Sequence, residues 1–347
     1  MVGDAGELER SVTRRELDED DVRTRATPGS RPRTRTRPKH DDAVSGLVLA
    51  VDRGRFGCLV EGTAVVAMRG GDVRRTPVVV GDEVSIVGDV SGQDGALARI
   101  VRIGERRTVL RRTPDDDDPT ERVLVANAEV LVIVVALAAP PPRPRLIDRL
   151  LVAAYDGGLH PLLCLTKRDL GSADELLALY RPLGVEVVST GPGDPDEGVE
   201  ALRTRLSGRM SVLVGHSGVG KSTLVNRLVP DADRATGAVT SVDRGRHTSS
   251  STVALPLPGG GWAIDTPGVR SFGLGLVKPE HLLRAFPDLA GAAQDCFRGC
   301  THSAGDAECA IDAAIVAGSV DPARLVSWRR LLDARLSPDD PDPPPNT

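Results

Sequence analysis

The segment with the clearest chemistry is residues 215–222, which read GHSGVGKS and match the pattern G-x-x-x-x-G-K-[S/T] without a gap. An apolar stretch over residues 210–214 predicts a buried strand before it, and residues 222–229 predict the start of a helix after it. Glycines let backbone N–H groups converge on phosphate oxygens, at a helix N-terminus that already favours anions. We therefore predict that a nucleotide binds here through its phosphates.

Lysine usage supports this interpretation. The chain has 44 lysine and arginine residues together, of which only four are lysines. One of them, Lys221, is expected to reach the β- and γ-phosphates, where a compact ammonium group is not equivalent to a guanidinium. Ser222 is expected to coordinate Mg²⁺. The predicted nucleotide-binding residues of this segment are Gly215, His216, Ser217, Gly218, Val219, Gly220, Lys221, Ser222 and Thr223.

A second motif, the sequence TKRD at residues 166–169, indicates which base is bound. The Asp169 carboxylate can accept hydrogen bonds from guanine N1–H and the exocyclic amine, a pair of donors that adenine lacks, and Lys167 can lay its alkyl stem over the base. An apolar strand is predicted directly before this motif, and a second predicted strand, residues 185–188, leads to Ser189, whose backbone is expected to contact guanine O6. The predicted base-binding residues are Thr166, Lys167, Arg168, Asp169 and Ser189.

The order of the two motifs along the chain carries further information. In an ordinary GTPase the phosphate-binding loop comes first and the guanine-binding motif follows much later. Here residues 166–169 precede residues 215–222. This order indicates a GTPase whose chain is circularly permuted.

Residues beyond the phosphate-binding loop complete the predicted site. Asp265 follows a predicted strand and is expected to hold Mg²⁺ through water, and the Gly268 N–H is expected to meet the γ-phosphate. The stretch 236–252 is rich in glycine and threonine. Within it, Thr248 is the predicted switch threonine that coordinates Mg²⁺ only when the γ-phosphate is present. Thr240 and Thr252 are the alternatives for that role.

The catalytic residues are harder to identify. A known GTPase has a water-orienting glutamine just after the Asp-x-x-Gly motif, whereas this chain has Val269 there. Catalysis is then slow until a partner acts, or another residue orients the water. His247 is the nearest polar candidate, an ordinary loop histidine being the alternative. We predict His247, Lys221 and Thr248 as the catalytic residues.

The C-terminal part of the chain contains a candidate metal site. Three of the five cysteines cluster with a histidine in the pattern Cys-x3-Cys-x-His-x6-Cys. A cytoplasmic setting disfavours disulfides and favours zinc, although the Cys-x-His step requires the loop to turn sharply. We predict one Zn²⁺ per chain, held by Cys296, Cys300, His302 and Cys309.

The patterning of apolar residues predicts three folded units between two disordered ends. Short alternating apolar runs over residues 43–108 indicate five or six strands of a small β-barrel, an OB-fold. Alternating strands and helices over 109–275 indicate a doubly wound α/β GTPase domain. Residues 276–336 indicate a small helical zinc-binding module. The ends, residues 1–42 and 337–347, are predicted to be disordered.

Charge and hydropathy limit the classes of partner that the chain is expected to bind. The net charge is −5, yet residues 23–39 carry seven basic residues and no acidic one. This arm is predicted to bind phosphate backbones, a solubilising tail being the alternative. The barrel has Phe56 as its only aromatic residue, so RNA binding there would use Arg69, Arg74 and Arg75. We see no transmembrane run or signal sequence and expect a cytoplasmic protein.

Taken together, the barrel, the permuted GTPase motifs and the Cys/His pattern resemble the circularly permuted, ribosome small-subunit-dependent GTPase A family over roughly residues 45–335. The matching segments also include residues 81–82, 123–127, 146–149, 245–249 and 265–274. The resemblance implies a GTP hydrolase with GTP or GDP, Mg²⁺ and one zinc as cofactors. It implies a late role in assembly of the small (30S) subunit, with the subunit and its 16S rRNA as partners, no membrane, and a monomeric chain.

This chain departs from the family pattern at two places. Thr166 replaces an asparagine, and Asp295 occupies the usual first-cysteine position, so Cys296 needs a local shift to reach the metal. Two other functions are compatible with the motifs. One is a nucleotide-binding scaffold that barely turns over, which Val269 favours. The other is a P-loop kinase, against which the guanine-binding motif and the absence of an obvious lid argue.

Overall fold

The structure is a computed structural model that describes residues 40–73, 76–112, 122–192, 197–230, 252–266, 274, 277–306 and 308–334. Residues 1–39 of the predicted basic arm and the whole predicted C-terminal tail lie outside the described residues. Within the described part, no helix is both long enough and apolar enough to cross a bilayer.

The N-terminal described region forms a closed five-stranded barrel, as the sequence predicted. Its strands are β1 (Val44–Asp52), β2 (Arg55–Val60), β3 (Thr63–Arg69), β4 (Glu83–Gly88) and β5 (Ala98–Ile103). They pair in the order β1-β2-β3-β5-β4, and β4 pairs back to β1 to close the barrel. The β3–β5 pair is parallel and the others are antiparallel. Phe56 is buried in the barrel core, which agrees with the expectation that no aromatic platform faces outward.

An antiparallel pair of strands, β6 (Val109–Arg112) and β7 (Arg122–Ala126), follows the barrel. The elements of the α/β unit after it are β8 (Val130–Ala136), α1 (Pro144–Gly157), β9 (His160–Thr166), α2 (Asp174–Tyr180), β10 (Glu186–Ser189), α3 (Glu197–Leu206), β11 (Met210–Gly215), α4 (Lys221–Leu228), β12 (Val253–Pro256) and β13 (Trp262–Asp265). Strand β8, with sequence VLVIVVA, is buried along its whole length, as expected for a central strand of a parallel sheet.

Sheet order explains how the motifs meet. The strands lie in the order β10-β9-β8-β11-β13-β12, and all neighbours are parallel except β12 and β13. The carboxyl ends of β9, β10, β11 and β13 therefore share one edge of the sheet, where open α/β sheets bind their ligands. Strand β12 was not predicted from sequence, and on its other side it pairs with β1 of the barrel through Ala50 and Val253.

The C-terminal described region is helical, as predicted, with α5 (Pro279–Arg284), α6 (Pro287–Ala292), α7 (Ala310–Val316) and α8 (Pro322–Ala334). No strand follows β13 among the residues that the structure describes. Leu289, Trp328 and Leu331 from these helices share one apolar core with the α/β unit, as does Phe286 between α5 and α6.

The barrel is joined to the α/β unit through a buried polar cluster. Asn127, which has a positive φ of 55°, donates from Nδ2 to the Gly81 carbonyl at 2.9 Å and accepts from the Arg107 N–H at 2.9 Å. A Cβ at Gly81 would lie 1.9 Å from the Ala126 carbonyl oxygen, so only glycine fits this approach. Asp82 is fully buried and pairs with Arg106. These contacts give a structural role to residues 81–82 and 127.

A buried ion pair attaches the C-terminal helices to the α/β unit. Arg330 of α8 donates to both carboxylate oxygens of Asp148 in α1, at 2.9 and 3.2 Å. The Asp148 side chain is only 3 % exposed. The Arg330 guanidinium also lies 5.0 Å from the centre of the Tyr180 ring and donates to the Leu179 carbonyl.

We expect Arg330→Ala to lower the free energy of unfolding by about 3 kcal/mol, because it leaves the Asp148 carboxylate buried without a partner. Urea unfolding would measure the change. Arg205→Ala is the control, since Arg205 pairs with Glu186 at the surface and such pairs contribute about 0–1 kcal/mol. Equal losses for the two variants would contradict the structural role of the Asp148 pair.

Candidate nucleotide and metal sites

The phosphate-binding loop has the backbone geometry that its glycines predict. It leaves β11 at Gly215 and enters α4 at Lys221. Gly218 and Gly220 adopt positive φ angles of 81° and 90°, which glycine tolerates without strain. A Cβ at Gly215 would lie 2.6 Å from the Val134 carbonyl oxygen. The loop therefore holds its N–H groups at the start of α4, as an anion site requires.

Lys221 lies between this loop and the end of β13. It is buried, and its Nζ donates to the Thr266 carbonyl at 2.5 Å and to the Asp265 carboxylate. The Thr266 hydroxyl donates in turn to the Leu213 carbonyl at 2.8 Å. Ser222, in the first turn of α4, is exposed, as is Thr223 beside it. The structure thus brings together a lysine, a carboxylate and an exposed hydroxyl, the groups that hold a phosphate and its Mg²⁺.

The predicted base-binding motif is bonded directly to the phosphate-binding loop. The Thr166 hydroxyl donates to the Val219 carbonyl at 2.5 Å. The Lys167 ammonium donates to the Gly218 carbonyl at 3.0 Å and to the Ala139 carbonyl. Thr166 is buried, and Lys167 has a positive φ of 56°. Two motifs that are far apart in sequence therefore form one site.

The remaining predicted base-binding residues lie at the carboxyl ends of β9 and β10. Arg168 and Asp169 are exposed, and the Leu170 N–H closes a turn on the Lys167 carbonyl at 2.9 Å. Ser189 ends β10, and the next residue, Thr190, donates its N–H to the Leu165 carbonyl at 2.7 Å. The ends of β9 and β10 thus lie side by side, with the Asp169 carboxylate in solvent where a base could reach it.

Some predicted residues cannot be placed. His247, Thr248 and Gly268 lie outside the described residues, as do Thr240 and Val269. Their roles stay predictions.

The four predicted zinc ligands form a compact cluster. Their ligand atoms all lie within 4.8 Å of one another. His302 Nδ1 lies 3.5, 3.4 and 3.9 Å from the sulfur atoms of Cys296, Cys300 and Cys309, and the Cys296 and Cys309 sulfurs are 4.0 Å apart. A tetrahedron with Zn–S of about 2.3 Å and Zn–N of about 2.0 Å requires about 3.5 Å between N and S and about 3.8 Å between sulfurs. The donor set and its spacing therefore fit one zinc ion.

Cys296 reaches this cluster, whereas Asp295 is the last residue of a 3-10 turn that precedes it. The sharp turn expected between Cys300 and His302 is present, because His302 has a positive φ of 60°. Gly299, just before Cys300, also has a positive φ, of 92°. The one-residue shift in the cysteine spacing is thus absorbed by the loop.

Neighbouring groups hold the cluster in place. Arg329 of α8 donates to the His302 and Ser303 carbonyls and pairs with Asp312. Burial lowers the pKa of His302, which favours the neutral imidazole that binds a metal. The Thr301 hydroxyl holds the pKa of Asp306 below its usual range.

Sequence reasoning missed two supporting groups. The Ala139 carbonyl, which accepts from Lys167, lies in the proline-rich stretch after β8; that stretch follows the carboxyl end of a central strand, which was an available signal. Arg329 supports the zinc loop from 27 residues further along the chain, and no local pattern identifies it.

Comparisons with known proteins agree with this architecture. The family model described as RsgA GTPase matches residues 103–275. A Chlorobaculum parvum protein named small ribosomal subunit biogenesis GTPase RsgA is 36 % identical over 266 residues, 74 % of this chain and 85 % of that protein. A Paraburkholderia phymatum protein of the same name is 36 % identical over 303 residues, 84 % of this chain and 92 % of that protein.

Solved structures show the same fold. YjeQ from Thermotoga maritima has a TM-score of 0.61 at 24 % identity, covering 85 % of this chain and 99 % of that one. YloQ, described as a circularly permuted GTPase, has a TM-score of 0.60 at 23 % identity, covering 86 % of this chain and 96 % of that one.

The strand order, the joined nucleotide motifs and the helical Cys/His module define a circularly permuted P-loop GTPase. The extent of the sequence matches makes the assignment specific. The chain belongs to the RsgA GTPase family.

We expect freshly purified protein to contain one zinc per chain, and Cys309→Ser to lose it, because removing one thiolate opens the tetrahedral site. The variant should expose the amides of α5–α8 to hydrogen exchange while those of β8 and β11 stay protected. Cys58→Ser, in the barrel core and outside the cluster, is the control and should keep its zinc. Metal analysis that finds no zinc in the wild type would refute the assignment.

Proposed function

We propose that this chain hydrolyses GTP to GDP and phosphate and acts in biogenesis of the small (30S) ribosomal subunit, in the cytoplasm and as a monomer. The GTPase assignment rests on one observation: Thr166 and Lys167 of the base-binding motif donate hydrogen bonds to carbonyls of the phosphate-binding loop. The ribosomal role is supported by relatives that are named small ribosomal subunit biogenesis GTPase RsgA.

The proposed division of labour follows the geometry. Lys221 reaches the β- and γ-phosphates from its buried position at the start of α4, and the loop N–H groups bind the remaining oxygens. Ser222, Thr248 and Asp265 would hold Mg²⁺, whose charge would offset that of the phosphate oxygens. Gly268 would contact the γ-phosphate.

Guanine selection rests mainly on Asp169. The Thr166 hydroxyl has one proton, and it donates that proton to the Val219 carbonyl. It therefore holds the two loops together and has no donor left for the base. Asp169 is exposed and accepts from guanine N1–H and the exocyclic amine, while Arg168 and Ser189 border the base.

Orientation of the attacking water is the step for which the chain requires a partner. With Val269 in place of glutamine, the side chain at that position offers no hydrogen bond to the attacking water. We propose that His247 orients it, and that binding to the subunit organises residues 236–252 around the γ-phosphate. On this proposal turnover is slow without a partner, a feature that a pure scaffold would share.

RNA contact is assigned to the parts outside the α/β unit. We propose that the barrel (43–108) and the basic arm (1–42) bind 16S rRNA, that residues 109–275 form the GTPase domain, and that residues 276–336 form the zinc-binding module. The uniformly basic stretch 23–39 supports the arm's role.

The proposal is tested by measuring GTP hydrolysis with and without purified bacterial small subunits. Wild-type turnover should rise when subunits are added. Lys221→Ala should abolish hydrolysis in both conditions and greatly weaken GTP binding, because it removes the side-chain cation at the β/γ-phosphates. Lys278→Ala, an exposed lysine before α5, is the control and should behave as wild type. Stimulated turnover by Lys221→Ala would overturn the phosphate-site assignment.

Asp169→Asn should shift preference from guanine to xanthine nucleotides, because the amide donates where the carboxylate accepted and the xanthine 2-carbonyl accepts such a bond. Competition between GDP and XDP would measure the change. Asp94→Asn, on an exposed loop of the barrel, should leave the preference unaltered. Unchanged GDP affinity in Asp169→Asn would show that residues 166–169 do not read the base.

A further inference from the structure

Strand β1 of the barrel contains a β-bulge at Leu49. In the register of β1 with β2, Val48 lies opposite Cys58 and Ala50 lies opposite Gly57, so Leu49 is the extra residue on β1. Bulges bend the strand that contains them and change the direction of a side chain. The bulge marks the point at which β1 leaves the barrel and meets the α/β unit.

Leu49 and its neighbour Val48 lie in two different apolar cores. Both side chains are fully buried. Val48 belongs to the core of the barrel together with Phe56, whereas Leu49 belongs to the core of the α/β unit together with Ala254 of β12 and Ile264 of β13. The barrel therefore inserts one side chain into the core of the domain that holds the nucleotide motifs.

Beyond the bulge, β1 adds to the sheet of the α/β unit. Ala50 pairs with Val253 of β12, and Val253 in turn lies opposite Asp265 of β13. Since adjacent strands are about 4.8 Å apart, the Cα atoms of Ala50 and Asp265 are roughly 10 Å apart. The Asp265 carboxylate accepts a hydrogen bond from the Lys221 ammonium. A single residue, Val253, thus separates the barrel from a predicted Mg²⁺-binding residue.

Strand β12 has few contacts of its own that could hold it in place. It consists of four residues, ends in Pro256 and pairs with β13 along its length. It directly follows the stretch 236–252, which contains Thr248, the predicted switch threonine. Apart from Thr252, residues 236–251 of that stretch lie outside the described residues. The position at which the chain re-enters the sheet after this stretch is therefore set by β13 on one side and β1 on the other.

The backbone of β1 is also bonded firmly within the barrel. The Val48 N–H donates to the Asp82 carbonyl at 2.9 Å, and the Val48 carbonyl accepts from the Gly81 N–H at 2.8 Å. These bonds flank the bulge on its barrel side. A displacement of the barrel therefore carries Leu49 and Ala50 with it, and both of these residues contact the α/β unit.

We infer that β1 transmits binding at the barrel to the nucleotide site, because it holds β12 beside Asp265. The inference rests on the proposed function, in which the small subunit stimulates hydrolysis. Force on the docked barrel acts on the α/β unit through Leu49 in its core and Ala50 at its sheet edge. Packed cores respond to such small shifts by discrete rearrangement and not by continuous deformation. A shift of β12 changes both the end of the 236–252 stretch and the strand pairing at Asp265.

Two adjacent residues of β1 provide a matched pair of variants for the test. Leu49→Ala removes the side chain that enters the α/β core, and Val48→Ala removes an equally buried side chain from the barrel core. Leu49→Met keeps the side-chain volume and is the rescue variant. GTP hydrolysis by each full-length protein is measured alone and with saturating purified bacterial small subunits. The ratio of the two rates is the stimulation.

We expect Leu49→Ala to lower the stimulation about tenfold, inside the range of about 5- to 150-fold that coupling between two sites usually spans. Its hydrolysis without subunits should stay at the wild-type rate, because no nucleotide-binding residue is altered. Val48→Ala and Leu49→Met should keep the wild-type stimulation. Equal losses in Leu49→Ala and Val48→Ala would overturn the inference, since a general loss of stability would then explain both.

Amide hydrogen exchange without subunits tests directly whether β1 holds β12. The amides of residues 253–255 should exchange faster in Leu49→Ala than in the wild type, while those of β8 stay protected and show that the variant is folded. If Leu49→Ala does not fold, Leu49→Val removes a single carbon and should change exchange in the same direction. Amides of β12 that exchange as slowly as in the wild type would overturn the inference.

The two experiments also separate the inference from the proposed function. A wild type that subunits do not stimulate contradicts the proposed function, and the inference fails with it. Full stimulation of both the wild type and Leu49→Ala contradicts the inference alone and leaves the proposed function intact.

Discussion

The architecture of the nucleotide site depends on two hydrogen bonds between loops, from Thr166 to the Val219 carbonyl and from Lys167 to the Gly218 carbonyl. They can form only if the ends of β9 and β11 lie at one edge of the sheet with a single strand, β8, between them. Parallel strands at that spacing place the two loops about 10 Å apart, a gap that side chains can bridge. The reversed chain order of the motifs is therefore immaterial to the site, because strand positions in the sheet decide the geometry.

Most of the fold could be predicted because its signals are local. The phosphate-binding loop is a contiguous motif, β8 is a continuous run of apolar residues, and burial alternates along the barrel strands β3 and β4. Even the metal cluster lies within a short stretch, so spacing alone pointed to its four members.

What the sequence could not supply depends on partners far along the chain. Strand β12 has only four residues and ends in proline, and it is a strand because β13 and β1 lie on either side of it. Conversely, residues 77–80 are apolar but do not form a barrel strand, and only Val80 makes an isolated bridge to Val125. The Asp148–Arg330 pair joins positions 182 residues apart, and nothing in the local sequence of either residue indicates its partner.

Consecutive arginines of α8 hold different parts of the molecule. Arg329 bonds to the carbonyls of the zinc loop, while Arg330 enters the buried pair with α1. Trp328, fully buried before them, lies edge-on to the His302 ring with 6.3 Å between ring centres. One helix therefore fixes the Cys/His cluster relative to the α/β sheet, and a metal bound there would stabilise the docking of the whole C-terminal module.

The permuted strand order also has a consequence for how the protein folds while a ribosome synthesises it. Domains fold in order as the chain emerges. The barrel is complete once Ile103 has been made, and β8, β9 and β10 then appear as three successive neighbours. When β11 is synthesised, its partner β8 is already present, and the same holds for β12 and its partner β1. Strand β13 is made last and pairs with both β12 and β11. Each strand of the sheet after β8 therefore emerges when at least one of its neighbours has already been synthesised. Synthesis in this order shortens the time for which a new strand has an unpaired edge that could aggregate.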